Sequence, residues 1–277
     1  MTDLIVKRSP LDDGTLGSAA TELELVGPDV RRLVDDETGE VVAVLGSLPV
    51  ASRSALRRAT LGFPRSTISR GRGIRNQATS FGYLAAHQVL RRASCRSCNA
   101  AEQVPEHHAV VCDAAADLAA LMAESLPERT KLDAACASII RDEWRLAGSP
   151  WTGGVVNFDA PLPYHKDANN LPVWSAMVSF RRGVRGGFLS LPEYGVSLPI
   201  RDGDVLFFAG WDIVHGVTPL TRVQPDGYRI TIVYYSVSRM QHCDPASDAL
   251  AKGRAARTHN EDHWRERQMA AGLLDEG

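Results

Sequence analysis

From residue 152 onward, short apolar runs alternate with turn signals. The runs are GGVVNF (153–158), VWSAMVSF (173–180), GGFLSL (186–191), VSLPI (196–200), VLFF (205–208), IVHGV (213–217) and YRITIVYYS (228–236). Between them lie Asp167–Asn170, Arg182–Gly187, Arg201–Asp204 and Pro225–Gly227, segments rich in the residues that favour turns. About seven strands at this spacing predict a β-sandwich or barrel. Upstream the period changes. DAAADLAALMAESL (113–126) predicts a helix with Asp113 as N-cap. A second helix over about 129–146 places Leu132, Ala135, Cys136, Ile139, Ile140 and Trp144 largely on one face, which should pack on the sheet.

In the first fifty residues, TELELVGPDVRRLVDDETGEVVAVLG reads as strands around a hairpin turn at Asp35–Gly39. The stretch that follows, with Gly62, Gly71, Gly73 and Gly82, reads mostly as loop leading into a helix near 82–93. The charged tail, 245–274, reads as two surface helices. These patterns give an α+β chain. Residues 1–112 form an N-terminal β-hairpin and loop extension, and residues 113–277 carry helices plus the β-core, together one compact domain.

Composition adds three constraints. At 44% hydrophobic and 23% charged, the 277 residues suffice for a sizeable core and exclude disorder as the main state. No apolar run reaches the length of a membrane span, and the start lacks a secretory h-region, so the expected setting is the cytoplasm, away from membranes. Five cysteines do not suggest a disulfide framework, and a monomer is expected with no protein partner indicated.

Charge is unevenly spread. Residues 51–100 hold ten arginines and no Asp or Glu, in a chain of net charge −2. A block of one sign this long points to a polyanion, nucleic acid first, against the plainer reading of a solvated basic face. Arg65, Arg70, Arg72 and Arg75, in a stretch with glycines that let a backbone approach closely, are the candidate phosphate contacts.

Three features of the β-half fit one another. In His165-Lys166-Asp167, positions i and i+2 of an extended chain point to one side, so imidazole and carboxylate converge. His215 follows fifty residues later, in a strand. Two His and one carboxylate with open positions form the donor set of non-heme Fe(II) oxygen chemistry. Then, in YRITIVYYS, period-2 alternation places Arg229, Thr231 and Val233 on one face, a guanidinium and a hydroxyl suited to a carboxylate ligand.

With these residues in place, the run from Gly153 to Ser236 resembles the double-stranded β-helix (jelly-roll) of 2-oxoglutarate/Fe(II)-dependent dioxygenases, and within them the TET/JBP branch that hydroxylates the 5-methyl group of pyrimidines in DNA. The segments carrying the resemblance are YHKDANN (164–170), GGFLSLPEYG (186–195), GDVLFFAG (203–210), HGVTPL (215–220) and YRITIVYY (228–235), with a looser likeness around the first hairpin and SFGY (80–83). The resemblance implies that His165, Asp167 and His215 hold Fe(II). It implies that Arg229, with Thr231 and Asn157, binds 2-oxoglutarate while O2 takes the remaining position. In that family the residue at Asn170 lies close to a base flipped from the DNA, as chemistry on the C5-methyl requires. The family's TET enzymes carry a His eight residues after the Arg to contact the methylated cytosine. Here that position is Val237, so 5-methylcytosine and thymine both stand as targets.

Two other readings compete. Cys95-Arg96-Ser97-Cys98, His107 or His108, and Cys112 have the spacing of a Cys3His structural zinc site, against the inert buried cysteines that are commoner. A 2-oxoglutarate oxygenase acting on a small molecule or protein side chain, or a DNA-binding module with a vestigial barrel, would share much of this sequence.

Overall fold

Apolar alternation in the second half builds two facing sheets in the computed structural model, which describes residues 2–70, 74–90 and 92–270, leaving out the side chains of 68–70, 74, 75, 257, 265 and 270. The chain opens with β1 (Thr2–Val6), β2 (Glu24–Leu25), β3 (Val30–Asp35), β4 (Val41–Ser47), α1 (Val50–Leu61), β5 (Thr67–Arg70), β6 (Ile74–Leu84) and β7 (Arg96–Ser97). Helices α2 (Ala100–Gln103), α3 (Pro105–Ser125) and α4 (Pro127–Ala137) lead into the β-half. That half contains β8 (Gly153–Phe158), β9 (Leu162–His165), β10 (Ser175–Arg182), β11 (Val184–Gly186), β12 (Leu189–Leu191) and β13 (Val196–Leu198). It continues through β14 (Asp204–Phe208), β15 (His215–Val217), β16 (Leu220–Arg222) and β17 (Tyr228–Tyr235) to α5 (Ala246–Ala270).

The larger sheet runs β1-β3-β4-β14-β10-β17-β8-β6-β5 and the smaller runs β2-β13-β12-β15-β9. Every expected strand of the β-half is present, and the first hairpin forms as read. Asp35 closes its turn, its Oδ1 accepting the N–H groups of Glu37 (3.0 Å) and Thr38 (2.9 Å), with Gly39 at φ +68°. Strands β1, β3 and β4 extend the larger sheet, so the N-terminal segment is built into the same layer as the β-half.

Two buried aromatics tie neighbouring segments to this layer through their polar ends. The Tyr234 hydroxyl donates to the Val111 carbonyl of α3 (2.8 Å), and the Trp151 indole N–H donates to the Trp174 carbonyl (2.7 Å). Phe81 packs edge-on to Tyr234 with ring centroids 4.8 Å apart.

Several expectations from sequence do not hold. The helix expected near 82–93 is absent: residues up to Leu84 continue β6, which pairs with β8. At that ladder a Cβ on Gly82 would lie 2.5 Å from the Gly153 Cα, so two glycines set the close approach. The basic stretch is not mainly loop, because α1 and the β5–β6 hairpin occupy it.

Helix α3 begins at Pro105, whose missing N–H costs nothing at the first helical position, and Asp113 is an exposed mid-helix residue, not a cap. Helix α4 ends at Ala137, and its buried face carries Asp133 and Ala137, while Leu132 and Ile139 are exposed. The tail forms one helix, α5, where two were expected. Among the described residues no helix is long and apolar enough to cross a membrane.

The cysteines also depart from expectation. Cys95 and Cys243 form a disulfide, with Cα atoms 5.7 Å apart. That bond commits one member of the Cys95, Cys98, His107/His108, Cys112 set, so the four-ligand arrangement is not assembled. Of the others, His108 Nε2 accepts the Gly82 N–H at 3.0 Å and lies 3.5 Å from Cys112 Sγ.

Candidate active site

His165 closes β9 and His215 opens β15, and the two residues are register partners in the smaller sheet. Asp167 follows two residues after His165, where the chain turns. A turn bond from the Asn170 N–H to the Asp167 carbonyl (2.9 Å) shapes the loop, and the Asp167 N–H donates to the Gly210 carbonyl (3.0 Å). His165, Asp167 and His215 each offer a ligand atom, all within 4.8 Å of one another. Among the described residues this is the cluster of three or more His, Cys, Asp or Glu able to share a metal ion.

Second contacts decide which nitrogen each ring offers. His165 Nδ1 lies 2.8 Å from the Pro163 carbonyl and His215 Nδ1 lies 2.9 Å from the Ile213 carbonyl. A carbonyl only accepts, so each Nδ1 carries the proton and each Nε2 keeps its lone pair for a metal. Burial pushes the His215 imidazolium down to about 4, the Asp167 carboxylate opposing and His165 adding to the shift, so the ring is neutral near pH 7. Phe208 meets His215 edge-on, with ring centroids 5.0 Å apart.

The cluster sits in a cavity of about 550 Å³ between the sheets, also lined by Asn157, Asn170, Met177, Leu189, Thr231 and Val233. On β17, Thr231, Val233 and Tyr235 line it, so Arg229 lies at the far end of the same alternating face. Arg229 is 2% exposed, and its Nε and Nη2 have no hydrogen-bond partner. The nearest carboxylate is otherwise engaged: Asp159 accepts the Arg229 backbone N–H (2.6 Å) and pairs with Arg222 (2.6 Å). Burial first, and Arg181 second, push the guanidinium down to about 10. A buried cation with vacant donors is costly without an anion, and a ligand carboxylate is the chemistry that satisfies it.

The structure therefore brings His165, Asp167 and His215 together and puts Asn157, Asn170 and Thr231 in the same cavity, while Arg229, two positions before Thr231 on β17, is not among the residues that line it. Val237, which stands where the family's TET enzymes carry a His, lines the cavity and bridges to Asn170. Arg72 lies outside the described residues, as do the side chains of Arg70 and Arg75, whose backbones belong to β5 and β6. Arg65, the fourth candidate, is internally engaged, stacking 4.9 Å over Phe158, and Arg57 of the same basic stretch pairs with Asp202 at 2.5 Å.

Sequence reasoning missed two residues beside Arg229. Ser179 is the register partner of Thr231 and Arg181 that of Arg229, so both extend the Arg229 face onto β10. The Ser179 hydroxyl is buried with no partner, a second vacant donor beside the first. Nothing in VWSAMVSF marks that serine until the β10–β17 register is known.

The fold is similar to that of a solved TET structure. The structure of NgTET1 in complex with 5mC DNA is 17% identical, with a TM-score of 0.58 over 87% of this chain and 91% of that one. A 2OG-Fe(II) oxygenase-family oxidoreductase from Burkholderia pseudomallei is 13% identical over 70% and 82% of the two chains, TM-score 0.39. The viral collagen prolyl hydroxylase of Paramecium Bursaria Chlorella virus-1, in its 2OG complex, is 12% identical over 71% and 97%, TM-score 0.38. No protein-family model matches the chain, and no curated protein matches it.

Proposed function

We propose that this chain is an Fe(II)- and 2-oxoglutarate-dependent dioxygenase that hydroxylates the C5-methyl group of 5-methylcytosine, or of thymine, in DNA. One observation carries the oxygenase reading: a His/Asp/His donor set lies in a cavity lined by Thr231 and Val233, and the strand that carries them also carries a buried guanidinium, Arg229, whose Nε and Nη2 donors are vacant. His165, Asp167 and His215 would hold the iron through two Nε2 atoms and a carboxylate oxygen. Arg229 would take the distal carboxylate of 2-oxoglutarate, with Thr231 beside it and Asn157 across the ladder from Thr231. When bound, Fe(II), 2-oxoglutarate and O2 supply the oxidising power to convert a C–H bond to C–OH with release of succinate and CO2.

The protein's own residues then have three tasks. The carbonyls of Pro163 and Ile213 fix both imidazoles in the ligating tautomer. Phe208, Met177, Leu189 and Val217 give the cavity apolar walls that limit water around the reacting centre. Asn170 sits in a loop tied to the end of β17, the Leu171 N–H donating to the Ser236 carbonyl (2.7 Å) and the Ser238 N–H to the Asn169 carbonyl (2.9 Å). That tie would hold Asn170 and Val237 as two walls against an extruded base.

The DNA part of the reading is supported by the fold shared with NgTET1, whose structure contains 5mC DNA, and by the HxDxxN turn. Incubation of 5-methylcytosine DNA and of ordinary thymine DNA with the protein, Fe(II), 2-oxoglutarate and ascorbate tests it, with nucleosides read by mass spectrometry. A hydroxymethyl nucleoside from either substrate is expected. Succinate release with no new nucleoside would move the substrate to a small molecule or protein side chain.

A further inference from the structure

A second cavity, of about 930 Å³, adjoins the metal cavity and shares His87 and Arg239 with it. Its lining includes His87, Arg92, Arg239, His242 and His259, and no Asp or Glu. Elsewhere arginines with carboxylate neighbours are neutralised, as in Arg8–Glu193, Arg129–Asp133, Arg182–Asp226 and Arg222–Asp159. Arg92 and Arg239 have no such partner among the described residues. Burial first, then Arg96 and Arg239, hold the Arg92 guanidinium below its ordinary value, and burial, then Arg239 and Arg92, do the same for the His87 imidazolium.

Three segments line it, α5 with His259 among them, and the other two come from distant parts of the chain. One is a tight loop in which His87 and Arg92 exchange backbone hydrogen bonds of 2.9 and 3.0 Å. The other is the single turn Ser238–His242 after β17. The Cys95–Cys243 disulfide joins the segments directly behind them. The disulfide thus staples two of the segments that line the cationic cleft, which adjoins the cavity of the metal ligands.

We infer that this cleft seats the phosphodiester backbone of the nucleic acid whose base enters the metal cavity, with Arg92 and Arg239 each neutralising a phosphate. The inference rests on the proposed nucleobase substrate and adds the surface that would hold the strand beside it. Arg92 and Arg239 are not among the arginines that the sequence singled out as phosphate contacts.

The test is fluorescence anisotropy of a labelled duplex carrying one 5-methylcytosine, titrated with the full chain across a series of KCl concentrations. For the Arg92→Gln/Arg239→Gln pair, affinity at low salt should fall about tenfold or more. The slope of log affinity against log salt should become shallower by nearly two, at ~0.9 for each phosphate no longer neutralised. The Arg92→Lys/Arg239→Lys pair should keep most of the slope. Arg182→Gln, which removes an arginine already paired with Asp226, should change neither. Arg239→Gln alone, at an exposed position, should lose about one unit of slope, so a folding defect in the double variant does not close the question.

Unchanged affinity and slope in the Gln variants would overturn the cleft while leaving the proposed function standing. No duplex binding by the unaltered protein, even at low salt, would overturn both. If free 5-methyl-dCMP binds as tightly as duplex and is equally sensitive to the Gln pair, the cleft holds a single nucleotide phosphate, and the backbone assignment falls.

Discussion

His165 and His215 face each other across the β9–β15 ladder with ring centroids 4.4 Å apart, each held by the carbonyl two residues before it in the chain. The metal site is therefore a property of strand register. Slipping one strand by a residue would turn one imidazole to the opposite face of its sheet.

Arg229 should trade stability for ligand binding. Its Nε and Nη2 are buried without partners, so the ligand-free protein carries an uncompensated charge. Arg229→Met keeps most of the volume and removes that charge. Urea unfolding of the ligand-free protein should show the variant more stable by about 1–3 kcal/mol. Calorimetry of the Mn(II)-loaded protein should show 2-oxoglutarate affinity lower by a hundredfold or more. A variant that is less stable yet binds 2-oxoglutarate normally would remove the guanidinium from the cosubstrate site.

The parts of this site that were legible in sequence are those written in a period of two. His165 with Asp167, and Arg229 with Thr231 and Val233, follow from strand alternation, which the fold preserves. Helix α4 was read on a shifted face because Asp133 counts as polar, yet it is buried with its partners supplied by Arg129 and the Trp174 backbone. The residues near 82–93 lacked a clear period, and β6 is fixed there by a Gly82–Gly153 contact that no local pattern records. Ser179, Arg181 and the Cys95–Cys243 bond are relationships between distant segments. They become visible only when the sheet order is known.

Gly210 should act as a spacer for the metal carboxylate. A Cβ there would lie 3.0 Å from Asp167 Oδ2 and 3.3 Å from the Ser175 hydroxyl. Gly210→Ala should therefore push the carboxylate by a few tenths of an ångström and lower Mn(II) or Fe(II) affinity by about 10–100-fold, the scale of misplaced ligand support. The melting temperature of the metal-free protein should barely move. Metal titration followed by thermal shift checks both, and full metal affinity in the variant would exclude the spacer role.

Asp133 should give a signed pH effect on stability. Its carboxylate accepts from Arg129 Nε (2.7 Å) and from the Trp174 N–H (3.0 Å), joining α4 to the start of β10. Burial raises its titration above the ordinary carboxylate value, with Arg129 opposing. The folded state then holds the proton to higher pH than the unfolded chain, so this group's contribution falls as pH rises through that interval. Asp133→Asn lacks the titration. Its stability relative to the unaltered protein should improve as pH is raised from 4 toward 7, as followed by urea unfolding at each pH. Asp133→Ala leaves both donors unpaired and should cost about 2–4 kcal/mol throughout. A stability difference for Asp133→Asn that is flat with pH would show that this carboxyl titrates alike in the folded and unfolded chain.

The Cys95–Cys243 bond closes a loop across a sequence separation of 148 residues. In the chain-entropy account a loop that long stabilises the fold by up to about 5 kcal/mol, through the freedom it denies the unfolded chain. For a chain of this size that corresponds to a melting temperature lower by on the order of 10 °C when the bond is lost. Cys243→Ser should show the drop, and dithiothreitol should lower the unaltered protein toward the same value while leaving the variant where it is. The bond also staples two of the segments that line the cationic cleft, so the two treatments should weaken duplex binding together. The His165, Asp167 and His215 cluster lies on β9, the loop after it and β15, none of which carries either cysteine. Metal affinity should accordingly survive reduction. Loss of metal binding in parallel with loss of DNA binding would show that the bond supports the whole barrel, not the cleft, and an unreduced melting temperature equal to that of Cys243→Ser would show that it contributes nothing to stability.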